Sequence, residues 1–232
     1  MTSKLSWMGM MICAVLFLAS CGGQEKSEAT DTSTKKEEKK VNEKPEEKKL
    51  SKAGYQVGDE VADFSLKNID DEMVALSDYK DEEGVIVVFT CNTCPYAVAY
   101  EDRINDLHNN LASEGYPVLA VNPNDPEVKP GDSFDAMKVR AEEKDFQFAY
   151  VFDEGQSVYP SWGATRTPEV YIIKNVDGKM KLVYTGAIDD NHKDPKAVSV
   201  NYIKEAVAAL KEGKEPTPNF TKAIGCSIKK KS

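Results

Sequence analysis

Beyond residue 53 the chain alternates short apolar runs with stretches of helical periodicity. Val85 to Thr90 (VIVVFT) is an unbroken, β-branched apolar run, the pattern of a central strand covered on both faces. From about Cys94 to Ala112, Val98, Ile104, Leu107 and Leu111 recur at helical spacing and Gly115 follows, which predicts a helix closed by glycine. Pro117 to Val121 (PVLAV) is a second buried strand. Together these form a β-α-β unit with a parallel pair. Asp63 to Asn68 and Met73 to Leu76 read as an N-terminal hairpin. Asn122 to Asp132 carries Pro123, Pro126, Pro130 and Gly131 and reads as loop. Ser133 caps a helix through about Lys144, with Phe134, Met137 and Ala141 inward. Tyr150 to Phe152 is a strand and Val158 to Trp162 one helical turn. Glu169 to Lys174 and Lys181 to Tyr184 pair across an Asp177-Gly178 turn. Pro195 to Leu210 is a last amphipathic helix facing inward with Ile203, Val207 and Leu210. Lys214 to Ser232 reads as irregular. The order predicts an α/β fold with a mixed central sheet flanked by helices.

The first fifty residues follow different rules. Lys4 precedes Trp7 to Leu18, an apolar run of signal-peptide length and short for a membrane span. Leu18-Ala19-Ser20-Cys21 resembles a bacterial lipobox. This implies a lipoprotein signal peptide over residues 1–20, lipidation at Cys21 and membrane attachment through that anchor. Gly22 stands where an aspartate often retains lipoproteins in the inner membrane, which points to the outer membrane in a diderm cell. Residues 21–53 are rich in Lys, Glu, Ser and Thr and lack aromatics, the composition of a disordered tether. The expected folded domain is 54–232, in the extracytoplasmic envelope.

Composition narrows the chemistry. The net charge of -9 argues against a nucleic-acid partner, which needs a basic face. Of five cysteines, Cys13 leaves with the signal and Cys21 carries lipid. One close pair, Cys91 and Cys94, and the distant Cys226 remain. That is a redox pair with a third thiol rather than a disulfide framework. No metal site is expected, because the two histidines, His108 and His192, stand near no second ligand cluster. No cofactor is expected either.

Cys91-Asn92-Thr93-Cys94-Pro95 lies where a strand meets a helix. Free N–H groups and the helix dipole stabilise a thiolate there, and the second cysteine is within disulfide reach. In thioredoxin-type chemistry Cys91 attacks and a more buried Cys94 resolves. Pro95 is tolerated in the first helical turn. Glu101 falls on the Cys94 face of the helix and reads as a solvated residue. His108 reads as a helix-surface residue, Tyr159 and Trp162 as packing near the site, and Arg166 as a surface charge or an aid to a thiolate.

The segments VIVVFT, CNTCPYAVAYEDRINDL, VNPNDPEVKPGDSFDAMK, GATRTPEVYII, GAIDDN and AIGCSIK resemble the thioredoxin-like redoxin family. Within it they resemble the peroxiredoxin-like branch related to alkyl hydroperoxide reductase and thiol-specific antioxidant. The likeness spans about Tyr55 to Lys229. It implies a thioredoxin fold with an N-terminal β-hairpin extension. It also implies a cis-proline at Pro168 beside the thiols, with the backbone of Thr167 available to a bound partner chain. Thr90, Thr167, Pro168 and Pro95 are the supporting residues, and Cys226 is a candidate resolving thiol. Peroxiredoxins carry Pro-X-X-X-Thr-X-X-Cys. Aligned so, Cys94 takes the peroxidatic place and Cys91 that of the threonine, while the matching proline is missing and Val87 and Phe89 occupy that region.

Three readings follow. The first is a thiol–disulfide oxidoreductase acting on a protein disulfide, its thiol reductant unidentified. The second is a hydroperoxide-reducing antioxidant protein. The third is a thiol-based metal or haem chaperone, for which the cysteine spacing is wrong.

Overall fold

The computed structural model describes residues 54–231. The signal segment, Cys21 and the tether lie outside these residues, as do the anchoring and localisation expected from them. Among the described residues no helix is long and apolar enough to cross a membrane.

Two short strands, β1 (Ser65–Asn68) and β2 (Met73–Ala75), form the N-terminal hairpin. Next come β3 (Gly84–Phe89), α1 (Pro95–Leu111) and β4 (Val118–Asn122). Then follow α2 (Phe134–Lys144), β5 (Ala149–Phe152) and the single turn α3 (Tyr159–Trp162). A two-residue strand, β6 (Arg166–Thr167), leads into the hairpin β7 (Glu169–Val176) and β8 (Lys179–Gly186). The chain ends with α4 (Tyr202–Lys211) and β9 (Cys226–Ser227).

Seven strands form one sheet in the order β2-β1-β5-β4-β3-β7-β8. β3, β4 and β5 run parallel, and β1, β7 and β8 join antiparallel to their neighbours. This is the mixed sheet of a thioredoxin-like α/β fold with an N-terminal hairpin. Every residue of β3 is buried, and alternation sends its side chains to two cores. Ile86 and Val88 face a core shared with α1, α2 and α4. Val85, Val87 and Phe89 face another built around Trp162 and Tyr171. The tight β7–β8 turn follows from Asp177 and Gly178, both in left-handed backbone (φ 54 and 78).

Two boundaries differ from the pattern-based reading. The last helix begins at Tyr202, with Pro195–Ala197 only a 3-10 turn. Asn201 is its cap, accepting the Lys204 N–H at 3.0 Å, while the backbone at Val198 is extended and suits the branched residues Val198 and Val200. The remaining helix still buries Ile203, Ala206, Val207 and Leu210, about 1.5–3 kcal/mol for each large aliphatic. The second difference is the tail, which is not irregular throughout. β9 pairs antiparallel with β6, Thr167 opposite Cys226 and Arg166 opposite Ser227.

Candidate active site

The strand β3 delivers the chain to the site. Thr90 N–H is still held by Val121 O at 2.9 Å, so Cys91 emerges at the end of the two central parallel strands. α1 starts four residues later, with Cys94 as its N-cap and Pro95 at its first position, where a missing N–H has no helical partner to lose.

A carboxylate absent from the sequence reading fixes the intervening loop. Asp132 is fully buried. Its Oδ1 accepts the backbone N–H groups of Asn92 and Thr93, both at 3.0 Å. Its Oδ2 accepts Thr93 Oγ1 at 2.9 Å and Asn124 Nδ2 at 2.7 Å. Asn92 is pinned further by Gly131 O (3.0 Å) and by the hydroxyl of Tyr150 (2.9 Å). Asn92 and Thr93 sit about forty residues from Gly131 and Asp132 in the chain, so no local motif announces these contacts. The redoxin resemblance also implies that the loop from Asn122 to Asp132 lies near the site, and that was the one available hint.

Cys91 and Cys94 are 3% and 4% exposed; the expected contrast between an exposed first thiol and a buried second one is absent. Both sulfurs meet Thr167. Its hydroxyl is 3.2 Å from Cys91 Sγ, and its carbonyl accepts the Cys94 thiol at 3.2 Å. The Thr167–Pro168 peptide bond is cis, as the resemblance implied, and faces the pair. Cys226 and Tyr96 pack against the cluster formed by Cys91, Cys94 and Ala97.

The two sulfurs differ in charge preference. Cys94 is held well below the ordinary thiol range, first by the hydrogen bond from Cys91. The Cys226 thiol and the backbone N–H groups of Ala97 and Cys226 act in the same direction, against burial. Cys91 is pushed up by donating to Cys94, by burial and by the negative charge of Asp132. Cys226 is pushed up to about 11, by burial and then by its contact with Cys94. The coupled pair therefore favours a single thiolate, on Cys94, which is met by these donors and also by the Thr167 carbonyl.

The remaining sequence candidates fall into place around this centre. Glu101 is not solvated. It is 4% exposed and takes a two-pronged bond from Arg140, both contacts at 2.7 Å, joining α1 to α2. The GAIDDN segment is pinned to α1: Asp189 accepts Tyr100 OH and Arg103 Nη1, each at 2.7 Å. Arg166 donates to Gly225 O at 2.9 Å. His108 Nδ1 accepts Val118 N–H at 3.2 Å. Trp162 is central in the second core, edge-on to Tyr55, Phe64, Phe89 and Tyr171. Tyr159 is fixed by its N–H to Asp153 (2.9 Å). A recess of about 210 Å³ opens beside Pro168, lined by Tyr100, Asp189, His192 and Ile224 among others. Among the described residues no group of three or more His, Cys, Asp or Glu is placed to hold a metal ion.

Comparisons with known proteins agree with this architecture. A structure of a hypothetical protein from Sinorhizobium meliloti 1021 is 28% identical, with a TM-score of 0.71 over 77% of this chain and 97% of that one. An uncharacterized conserved protein from Geobacillus kaustophilus is 36% identical, with a TM-score of 0.69 over 76% and 93%. The thiol-disulfide oxidoreductase ResA of Halalkalibacterium halodurans is 23% identical over 135 residues, 58% of this chain and 72% of that protein. The sequence profile of the AhpC/TSA family matches residues 57–184, the span that supplies β3, both cysteines of the pair and the cis-Pro168 loop, and the chain belongs to that family.

Proposed function

We propose that this protein is a thiol–disulfide oxidoreductase that cycles Cys91 and Cys94 between dithiol and disulfide. The observation that carries the reading is the pair itself: two buried thiols at the start of α1, each sulfur 3.2 Å from Thr167, beside the cis Thr167–Pro168 bond. Cys94 is the reactive thiolate in this reading and Cys91 its partner, the reverse of the order expected from thioredoxin-type spacing. In the reductive direction Cys94 attacks a substrate sulfur and a mixed disulfide forms. Cys91 then attacks Cys94, the ring closes, and the substrate leaves as thiol. The likeness to ResA supports the same class. The lipobox at Cys21 supports an extracytoplasmic, lipid-anchored location.

The test is DTT-driven reduction of insulin by the full-length chain beside Cys91→Ser, Cys94→Ser and the double variant. The proposal expects a rate at least about tenfold above the double variant. Equal rates would overturn it.

A second reading, hydroperoxide reduction, is favoured by Cys94 occupying the peroxidatic place and carrying the thiolate. The products would be Cys94 sulfenic acid and an alcohol, then a disulfide and water. A peroxide rate constant no higher than that of free cysteine would exclude it.

A further inference from the structure

The resemblance left the backbone of Thr167 open to a bound partner chain, but that place is filled from within. β9 lies antiparallel to β6 with Cys226 opposite Thr167, the arrangement by which an extended peptide adds a strand to a free edge. We propose that this C-terminal strand is a tethered internal substrate and that Cys226 forms a disulfide with Cys94. The proposal rests on the redox reading of Cys91 and Cys94 above.

The tail is fitted to this place by several independent contacts. A Cβ on Gly225 would lie 2.2 Å from Thr167 O and 3.1 Å from Pro168 N, so only glycine lets the strand come this close. Arg166 Nη1 donates to Gly225 O, and Ile228 N–H to Thr165 O at 3.2 Å. Beyond the strand, Ile228 is buried in the second core. Lys229 is bonded at both backbone groups, its N–H to Asn124 Oδ1 (2.8 Å) and its carbonyl from Asp125 N–H (2.9 Å). At the centre Cys226 packs against the cluster formed by Cys91, Cys94 and Ala97, which presents a thiol to the pair as a bound disulfide partner would.

The step is an exchange without net redox change. From the Cys91–Cys94 disulfide left by turnover, the deprotonated Cys226 sulfur attacks Cys94 Sγ. The Cys94–Cys226 bond forms and the Cys91–Cys94 bond breaks. Cys91 leaves as thiolate and takes up the proton that Cys226 gave up. The oxidising equivalent then rests on a half-exposed strand instead of in the buried pair.

The decisive experiment oxidises the reduced full-length chain with one equivalent of diamide, traps free thiols with N-ethylmaleimide and maps disulfides by peptide mass spectrometry. It is run on wild type, Cys91→Ser and Cys226→Ala. In Cys91→Ser the Cys94–Cys226 linkage should form at least about tenfold faster than a mixed disulfide with millimolar glutathione, because contact sets a high effective concentration. In wild type both linkages should be found, and in Cys226→Ala only Cys91–Cys94. If Cys91–Cys94 forms in wild type but Cys226 stays alkylatable in wild type and in Cys91→Ser, the internal-substrate proposal is overturned and the redox reading stands. If neither linkage forms, both fall.

Discussion

The Cys94 sulfur lies 3.2 Å from the carbonyl oxygen of Thr167, the residue whose backbone is also the strand partner of Cys226. One residue thus joins Cys94 to the C-terminal tail. As a thiol, Cys94 donates to that carbonyl. As a thiolate it must face the same oxygen, and the four donors from Cys91, Cys226 and Ala97 offset that repulsion.

The first prediction concerns pH. The Cys94 pKa is lowered, so ionisation persists well below the pH at which a free thiol is protonated. Thiolate absorbance at 240 nm, or alkylation of Cys94 by iodoacetamide, should change little between pH 8 and pH 6. A free cysteine loses roughly 75-fold in thiolate over that interval. Cys91→Ala removes the largest stabilising donor and should move the midpoint upward.

Asp132→Ala should destabilise the fold. It would leave two backbone N–H groups, the Thr93 hydroxyl and the Asn124 amide without their acceptor. Buried donors left unmet cost about 1–3 kcal/mol each, with water recovering part, so a loss of about 3 kcal/mol in urea unfolding is expected. Since the Asp132 charge also raises Cys91, the variant should make Cys91 more acidic.

Glu101 separates a structural from a chemical role. Glu101→Gln would remove the charge that Arg140 pairs with at 2.7 Å and leave it only Glu143 at 3.5 Å, and the Arg140 side chain is 24% exposed. The expected cost is therefore about 1–3 kcal/mol, below the range for a fully buried broken pair. The pH profile of Cys94 alkylation should not move. A shifted profile would instead make Glu101 part of the proton chemistry.

Gly225→Val addresses the tail without touching a thiol. The new side chain would collide with the Thr167 carbonyl, so the strand should lift. Tryptic cleavage at Lys222 and Lys229 should accelerate. If the tail blocks the peptide slot, insulin reduction should rise severalfold over wild type. An unchanged rate with a released tail would mean that protein substrates bind elsewhere.

What the sequence made legible follows from the range of each signal. β3, α1 and β4 carry strong local periods, and the thiol pair is a contiguous motif at their junction. Asn201 was missed as a cap because the apolar spacing of α4 extends by chance toward Pro195. β9 has two residues and therefore no period. Asp132 and Glu101 are acidic residues like many others here, and their burial depends on partners brought from distant parts of the chain. The proposed order of attack rests on the same tertiary detail: Cys226, which folding brings back to the site, packs against the thiol pair.

The most direct test is a DTT redox titration of the full-length chain, trapping Cys91 and Cys94 at each potential and repeating it with Cys226→Ala. The account predicts a reversible two-electron transition in both proteins, with a Cys91–Cys94 disulfide at the oxidised end of the variant. Thiols that remain alkylatable across the range, or are lost irreversibly to sulfinic acid without an intervening disulfide, would contradict it.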